Sequence, residues 1–193
     1  MKSVLISVQP YWVFLIIAKA MRWNAREKTI EVRKNFPKDE NWDKVAKIYC
    51  SRDKKSFNQI PKEYQPLMET FLGKVIGEFV CDAIISHCEM ANADIAEQQG
   101  CIKREKLFEY ANGKELYGWH ISNLVIYDKP KELYEFKTLC TDFYDGKHCE
   151  ECDYFIDGRG YEYDESDCGC DGLKPLKRPP QSWCYVESEG DTE

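Results

Sequence analysis

Apolar residues in this chain come in short runs of strand length, and that spacing restricts its fold more than any other feature. Val4 to Val8, Thr29 to Arg33, Val45 to Cys50, Val75 to Cys81 and His120 to Tyr127 read as strands, with a sixth at Trp183 to Val186. Helical signals are brief. They cover Trp12 to Arg22, Pro61 to Phe71 and Ala83 to Gln98, with one further turn at Lys131 to Phe136, after Lys129-Pro130 stops the fifth strand. Short strands with only brief helices predict an α+β fold, a small β-barrel with short flanking helices, over a doubly wound α/β sheet. The 193 residues suffice for one good core and would crowd two. We expect residues 1–139 and 173–193 to form the barrel, and 140–172, which are acidic and rich in Cys, Gly and Tyr, to form an insertion.

Lys2 precedes an apolar stretch ending in Ala18-Lys19-Ala20, which superficially resembles a secretory signal. Gln9-Pro10 splits it, and no unbroken apolar run reaches the roughly 18 residues of a spanning helix. A strand, a turn and a helix fit better, so the expected location is cytoplasmic, with no membrane partner. Ten cysteines in such a chain point to thiols or metal ligands, not to a disulfide framework.

The net charge of −7 excludes a generic nucleic-acid coater. The distribution matters more. Lys19 to Lys62 carry 13 basic against 6 acidic residues, while Cys140 to Asp171 carry 2 against 11. A phosphate-bearing ligand would be drawn to the first third; the alternative is two ordinary solvated faces.

The segment EKTIEVRK, Glu27 to Lys34, holds the densest candidate chemistry. As a strand it puts Thr29, Glu31 and Arg33 on one face and the apolar Ile30 and Val32 on the other. Lys28 stands at the strand mouth, where its ammonium can reach into a cleft. Arg33 offers a fork to phosphate, and Glu31 can accept from an exocyclic amine. An exposed face with an ordinary Glu–Arg pair is the competing reading. Gln9 and Trp12 flank the first turn, one offering amide hydrogen bonds and the other a stacking plane or a core ring. Trp119 and His120 adjoin on a strand, so one is expected in the core and one in the cleft, with His120 a candidate acid–base group. Glu78, in an apolar strand, either faces the cleft or points to solvent. Ser182 and Trp183 follow Pro179-Pro180, which fix an extended approach, and Ser182 is at most a hydrogen-bonding group.

Cys149 and Cys152 form a CxxC, and Cys168 and Cys170 a CxC. Four closely paired thiolates suit a closed, structural tetrahedral Zn site, which would hold together a segment too acidic and too poor in aliphatic residues to fold by burial. Free thiols in a loose loop, or a redox CxxC, are the alternatives. Cys50, Cys81, Cys88 and Cys101 read as small buried apolar residues.

Five blocks in order, SVQPYW (Ser7 to Trp12), EKTIEVRK, KVIGEFVCD (Lys74 to Asp82), YGWHISNLVIYDKPKEL (Tyr117 to Leu133) and RPPQSWCYV (Arg178 to Val186), resemble the ASCH-domain proteins of phages and Firmicutes. The resemblance implies a PUA-like barrel with a cleft between barrel and helix that binds RNA or a nucleotide. It also implies an alternative. Some ASCH relatives are amidohydrolases that deacetylate N4-acetylcytidine with a Lys, a Thr and a Glu, and others cleave RNA. Lys28 matches the amidohydrolase lysine and is the catalytic candidate that the resemblance implies. Glu31 stands where the nucleophilic Thr belongs, Thr29 projects differently, and the distal Glu has no match. A carboxylate there removes the nucleophile that acyl transfer needs. The likeness to phage proteins adds a third reading, in which the acidic insertion docks onto a host protein or the cleft sequesters a nucleotide signal.

Overall fold

The computed structural model describes residues 2–86, 95–139 and 173–187. The expected insertion, with Cys149, Cys152, Cys168 and Cys170, lies outside the described residues, as does Cys88. Among those described no cluster of three metal-ligating side chains occurs.

Strand β1 (Lys2–Val8) is an interior strand of a five-stranded sheet of order β10-β1-β3-β4-β7. It runs parallel to β3 (Trp42–Cys50) and antiparallel to β10 (Trp183–Glu187), while β4 (Val75–Val80) and β7 (Ser122–Lys131) complete the sheet. A second sheet of order β2-β6-β5 consists of β2 (Ile30–Arg33), β6 (Tyr117–His120) and β5 (Ile84–Ile85). A small hairpin pairs β8 (Lys137–Leu139) with β9 (Leu173–Pro175). The chain passes from the second sheet into the first at Ile121, whose N–H donates to the Thr29 carbonyl.

Pro10 occupies the first turn of α1 (Pro10–Ile17), where its missing N–H costs nothing. This helix is apolar on nearly every side because it is enclosed. Val13 to Ile17 pack with Val4, Ile6, Ile48, Phe79 and Trp119 in the main core. Burial explains the signal-like composition, and no helix among the described residues is long and apolar enough to cross a membrane. The helix stops at Ile17 instead of continuing to Arg22; turns follow, and Arg22 has φ +55°. Short helices α2 (Lys54–Phe57) and α3 (Gln65–Phe71) follow β3, and α4 (Arg104–Ala111) precedes β6.

Three further expectations need correcting. Pro130 does not end the fifth strand, because β7 is an edge strand with a register shift, where a missing donor is tolerated. That strand also begins later than expected, His120 belonging to β6 of the other sheet. The region from Ala83 starts as the short strand β5, and its described helical part is a π-helical turn at Ile95–Gln99. At Gly77 β4 passes so close to β7 that an added Cβ would lie 2.2 Å from the Val125 carbonyl oxygen, so the crossing requires glycine.

Cys50 and Cys81 are buried, as a small apolar residue would be, whereas Cys101 is half-buried. Burial pushes the thiols of Cys50 and Cys81 up to about 12, and that of Cys184 to about 11, from 9.0. Such thiols stay protonated in the native state while the unfolded chain ionises near pH 9, so their stabilisation is complete below that pH and is lost above it. Lys28, depressed by burial, acts in the opposite sense over the same range. Above about pH 9 three thiols outweigh one amine, and the urea unfolding free energy should fall as pH rises from about 9 to about 10.5. A flat or rising profile would contradict the buried placement of these cysteines.

Candidate functional site

A cleft of about 840 Å³ opens between the two sheets, a volume suited to a ligand of nucleotide size. Its floor is β2 together with Lys28, two residues before the strand, so that Lys28, Glu31 and Arg33 line it. One wall is the β1–α1 turn with Gln9, Tyr11 and Trp12, backed by Ser56 and Lys55 of α2. The other is α4, with Lys106, Glu109 and Tyr110, and Gln181 closes one side. Tyr11 N–H donates to Ser56 Oγ at 3.0 Å, which ties the start of α1 to α2.

Why β2 presents charge to an enclosed space follows from its pairing. Glu31 lies opposite Trp119, and Ile30 opposite His120, in the antiparallel register. Directly opposed residues share a face, so Glu31 and Arg33 point the same way as Trp119, inward between the sheets. Ile30 and Val32 face the other way and build a separate small core with Ala96, Leu107 and Leu116. Sequence alternation places the apolar pair in a core correctly, and the polar row turns out to be equally enclosed. Lys28 is 2% exposed, Glu31 6% and Arg33 5%.

Those three side chains form a chain of charge. Arg33 Nη2 lies 2.9 Å from Glu31 Oε1, and Lys28 Nζ 3.6 Å from Glu31 Oε2. Arg33 also donates to the main-chain carbonyls of Ser7 (2.8 Å) and Ser182 (3.2 Å), so its fork is occupied by protein and only Nε remains without a partner. Lys28 Nζ donates to the Gly100 carbonyl at 2.8 Å and sits 5.2 Å from the centre of the Trp12 ring. Desolvation pulls its ammonium below the usual lysine range, partly opposed by the Glu31 charge. Above the floor, Lys34 Nζ stands 4.9 Å over the Tyr110 ring and bridges β2 to α4.

Of the residues singled out from sequence, Gln9, Trp12, Lys28, Glu31 and Arg33 line this cleft. The others do not. Thr29 precedes the strand and gives its main chain to Gln99 and Ile121. Trp119 is fully buried in the core, its Nε1–H donating to the Asn35 carbonyl at 3.2 Å. His120 is thereby turned to the face away from the cleft, where its Nδ1 is 2.6 Å from Asp82 Oδ1; the expectation that it enters the cleft is corrected by the register. That contact with His120 holds the Asp82 carboxyl below its usual range. Glu78 does not line the cleft, and its side chain is 30% exposed. It pairs with buried Lys47 at 2.9 Å and accepts from Tyr127 at 2.7 Å, on the five-stranded sheet. Ser182 supplies its carbonyl to Arg33, and Trp183 packs beside Trp119, its Nε1–H donating to Asn35 Oδ1 at 2.8 Å. Sequence reasoning missed Tyr11, Lys34, Lys106 and Tyr110. A signal existed for the last two: Lys106 and Tyr110 are four apart, so they neighbour each other on one side of the helix.

No family model matches the chain, and no curated protein does. Solved structures do. A serine-to-alanine variant of the ASCH protein of Zymomonas mobilis superposes with a TM-score of 0.52 at 14% identity, covering 96% of this chain and 88% of that one. The unsubstituted Zymomonas mobilis ASCH structure gives a TM-score of 0.47 at 14% identity, with 97% and 89% covered. In fold, this chain is similar to an ASCH domain. At such identity the likeness concerns the fold alone.

Proposed function

We propose that this ASCH-fold chain binds a nucleotide unit, free or within RNA, in the cleft between its two sheets. One observation carries the reading: five cations (Lys28, Arg33, Lys34, Lys55 and Lys106) and three aromatic rings (Tyr11, Trp12 and Tyr110) converge on one cleft in a chain of net charge −7. Three carboxylates, Glu31, Asp53 and Glu109, share it. Asp53 already caps α2, accepting from the N–H groups of Lys55 and Ser56. Concentrated positive charge draws phosphate, and aromatic faces accept bases by stacking at about 1–3 kcal/mol per base.

Reversing the two rim charges on opposite sides, in Lys34→Glu/Lys106→Glu, should weaken binding of a fluorescent single-stranded oligoribonucleotide or of a nucleoside monophosphate by about tenfold or more. Wild-type affinity should fall with added salt. Equal anisotropy titrations for variant and wild type would remove the cleft from consideration.

Turnover is a second reading, favoured by the depressed pKa of Lys28, since a neutral amine can serve as a base. Thr29 lies outside the cleft and Glu31 occupies the hydroxyl's expected place, which counts against acyl transfer through a threonine. Release of product from N4-acetylcytidine or single-stranded RNA by wild type, abolished in Lys28→Met, would establish it.

A further inference from the structure

Two buried cations on the cleft floor share one carboxylate. Among the described residues, Glu31 is the only acid with which Lys28 or Arg33 pairs. With all three groups ionised, the floor carries one positive charge more than it neutralises, at side chains that are almost fully enclosed. An uncompensated charge removed from water is costly, and proteins relieve it by neutralising the group or by supplying a counter-ion. Two further details mark the place as incomplete. Arg33 Nε has no hydrogen-bond partner, and Glu31 Oε2 has only the long 3.6 Å contact with Lys28. Buried polar groups in folded proteins are nearly always satisfied, and of these two the Arg33 Nε–H is a donor that an anion can satisfy, whereas the Glu31 oxygen is an acceptor and is not.

We propose that the floor formed by Lys28, Glu31 and Arg33 receives a phosphate monoester, so that the cleft takes nucleotides, or RNA ends, phosphate first. The inference rests on the nucleotide-binding reading above and adds an orientation and a ligand class to it. The phosphate supplies the missing negative charge and accepts from the Lys28 ammonium, and it reaches Arg33 Nε–H, which is sealed from solvent, only after a shift of the floor side chains. The base then lies nearer the mouth, where the Tyr110 ring is available for stacking and the Lys34 ammonium over that ring for a cation–π contact. An internal phosphodiester, with chain continuing on both sides, enters a floor this enclosed less readily than a terminal monoester.

The groups facing the Lys28 ammonium are Glu31, Arg33, Cys101, the Gly100 carbonyl and the Trp12 ring. An anion added to that set favours the protonated amine. Affinity for a monophosphate should therefore fall as pH rises through the depressed Lys28 pKa, which lies below 10.5. Above about pH 7 the phosphate is already fully ionised and contributes no opposing trend.

The test compares the four 5′-ribonucleoside monophosphates with their nucleosides by calorimetry, in two buffers of different ionisation enthalpy. Inorganic phosphate serves as competitor. An eight-nucleotide single-stranded RNA bearing either a 5′-phosphate, a 3′-phosphate or only hydroxyl ends distinguishes free nucleotides from RNA ends as the source. Monophosphates should bind about tenfold or more tighter than nucleosides, with proton uptake that grows towards alkaline pH. Lys28→Met, which leaves Glu31 and Arg33 as a neutral pair, should erase the phosphate preference. Glu31→Gln should bind monophosphates at least as tightly as wild type. Nucleosides binding as tightly as monophosphates to the wild-type protein would overturn the orientation whether or not either variant folds. So would parallel weakening of both ligand types by Glu31→Gln, which would put the base against that carboxylate and leave nucleotide binding intact. Failure of every nucleoside, nucleotide and oligonucleotide to bind would overturn the nucleotide reading itself, and this orientation with it.

Discussion

Arg33→Ala should lower the unfolding free energy by about 3–5 kcal/mol, the range observed when one partner of a buried ion pair is removed. The guanidinium joins three parts of the chain that are far apart in sequence: the Ser7 carbonyl at the end of β1, the Ser182 carbonyl before β10, and Glu31 on its own strand. Truncation deprives the Ser7 carbonyl of a charged donor and leaves Glu31 paired only with Lys28. The Ser182 carbonyl loses less, since it also accepts from Ser7 N–H at 2.9 Å. Urea denaturation followed by tryptophan fluorescence measures the change. The combined substitution Lys28→Met/Glu31→Leu/Arg33→Met should recover a large part of the loss, because an apolar set of similar volume carries no buried charge to neutralise. A loss below about 1 kcal/mol in Arg33→Ala would mean that the floor is far wetter than its burial indicates.

Trp119→Ala is expected to cost about as much, roughly 3–5 kcal/mol, by a different mechanism. Its ring has no solvent exposure and lies 5.8 Å from the Trp42 ring and 6.1 Å from the Trp183 ring, between centroids, in the layer between the sheets. Removing it opens a cavity that a set of rigid aromatic neighbours cannot close, and it strands the Asn35 carbonyl that accepts from Nε1–H. Because Trp119 is the cross-strand neighbour of Glu31, the same substitution should also loosen the cleft floor, so ligand affinity falls along with stability. Trp119→Phe fills most of the volume but lacks the N–H, and should retain more of both. A Trp119→Ala protein with wild-type stability would contradict the packing between the sheets.

How legible the cleft was from sequence differs residue by residue. Strand alternation is a local property, so EKTIEVRK was enough to put Glu31 and Arg33 on one face and Ile30 and Val32 on the other, and Gln9-Pro10 was enough to end β1 and begin α1. These local signals brought Gln9, Trp12, Lys28, Glu31 and Arg33 into the cleft as a group. Alternation says nothing about which strand lies alongside. The choice between Trp119 and His120 rested on a register shared by residues nearly ninety positions apart, and the register turned His120 towards Asp82 and away from the cleft.

What the sequence by itself determined was the approximate place of six of the ten described strands, the polar stripe on β2, and the excess of positive charge in the first third of the chain. What only the tertiary structure decided was the enclosure of that stripe and the partners it finds there. Lys28 reaches Gly100, Arg33 reaches Ser182, and α4 brings Lys106 and Tyr110 across from the opposite wall. Likewise Glu78 is committed to Lys47 and Tyr127, at separations of 31 and 49 residues. The physical reason is range: propensity and alternation act between neighbours along the chain, whereas burial, charge pairing and register depend on which distant segments the closed sheets bring together.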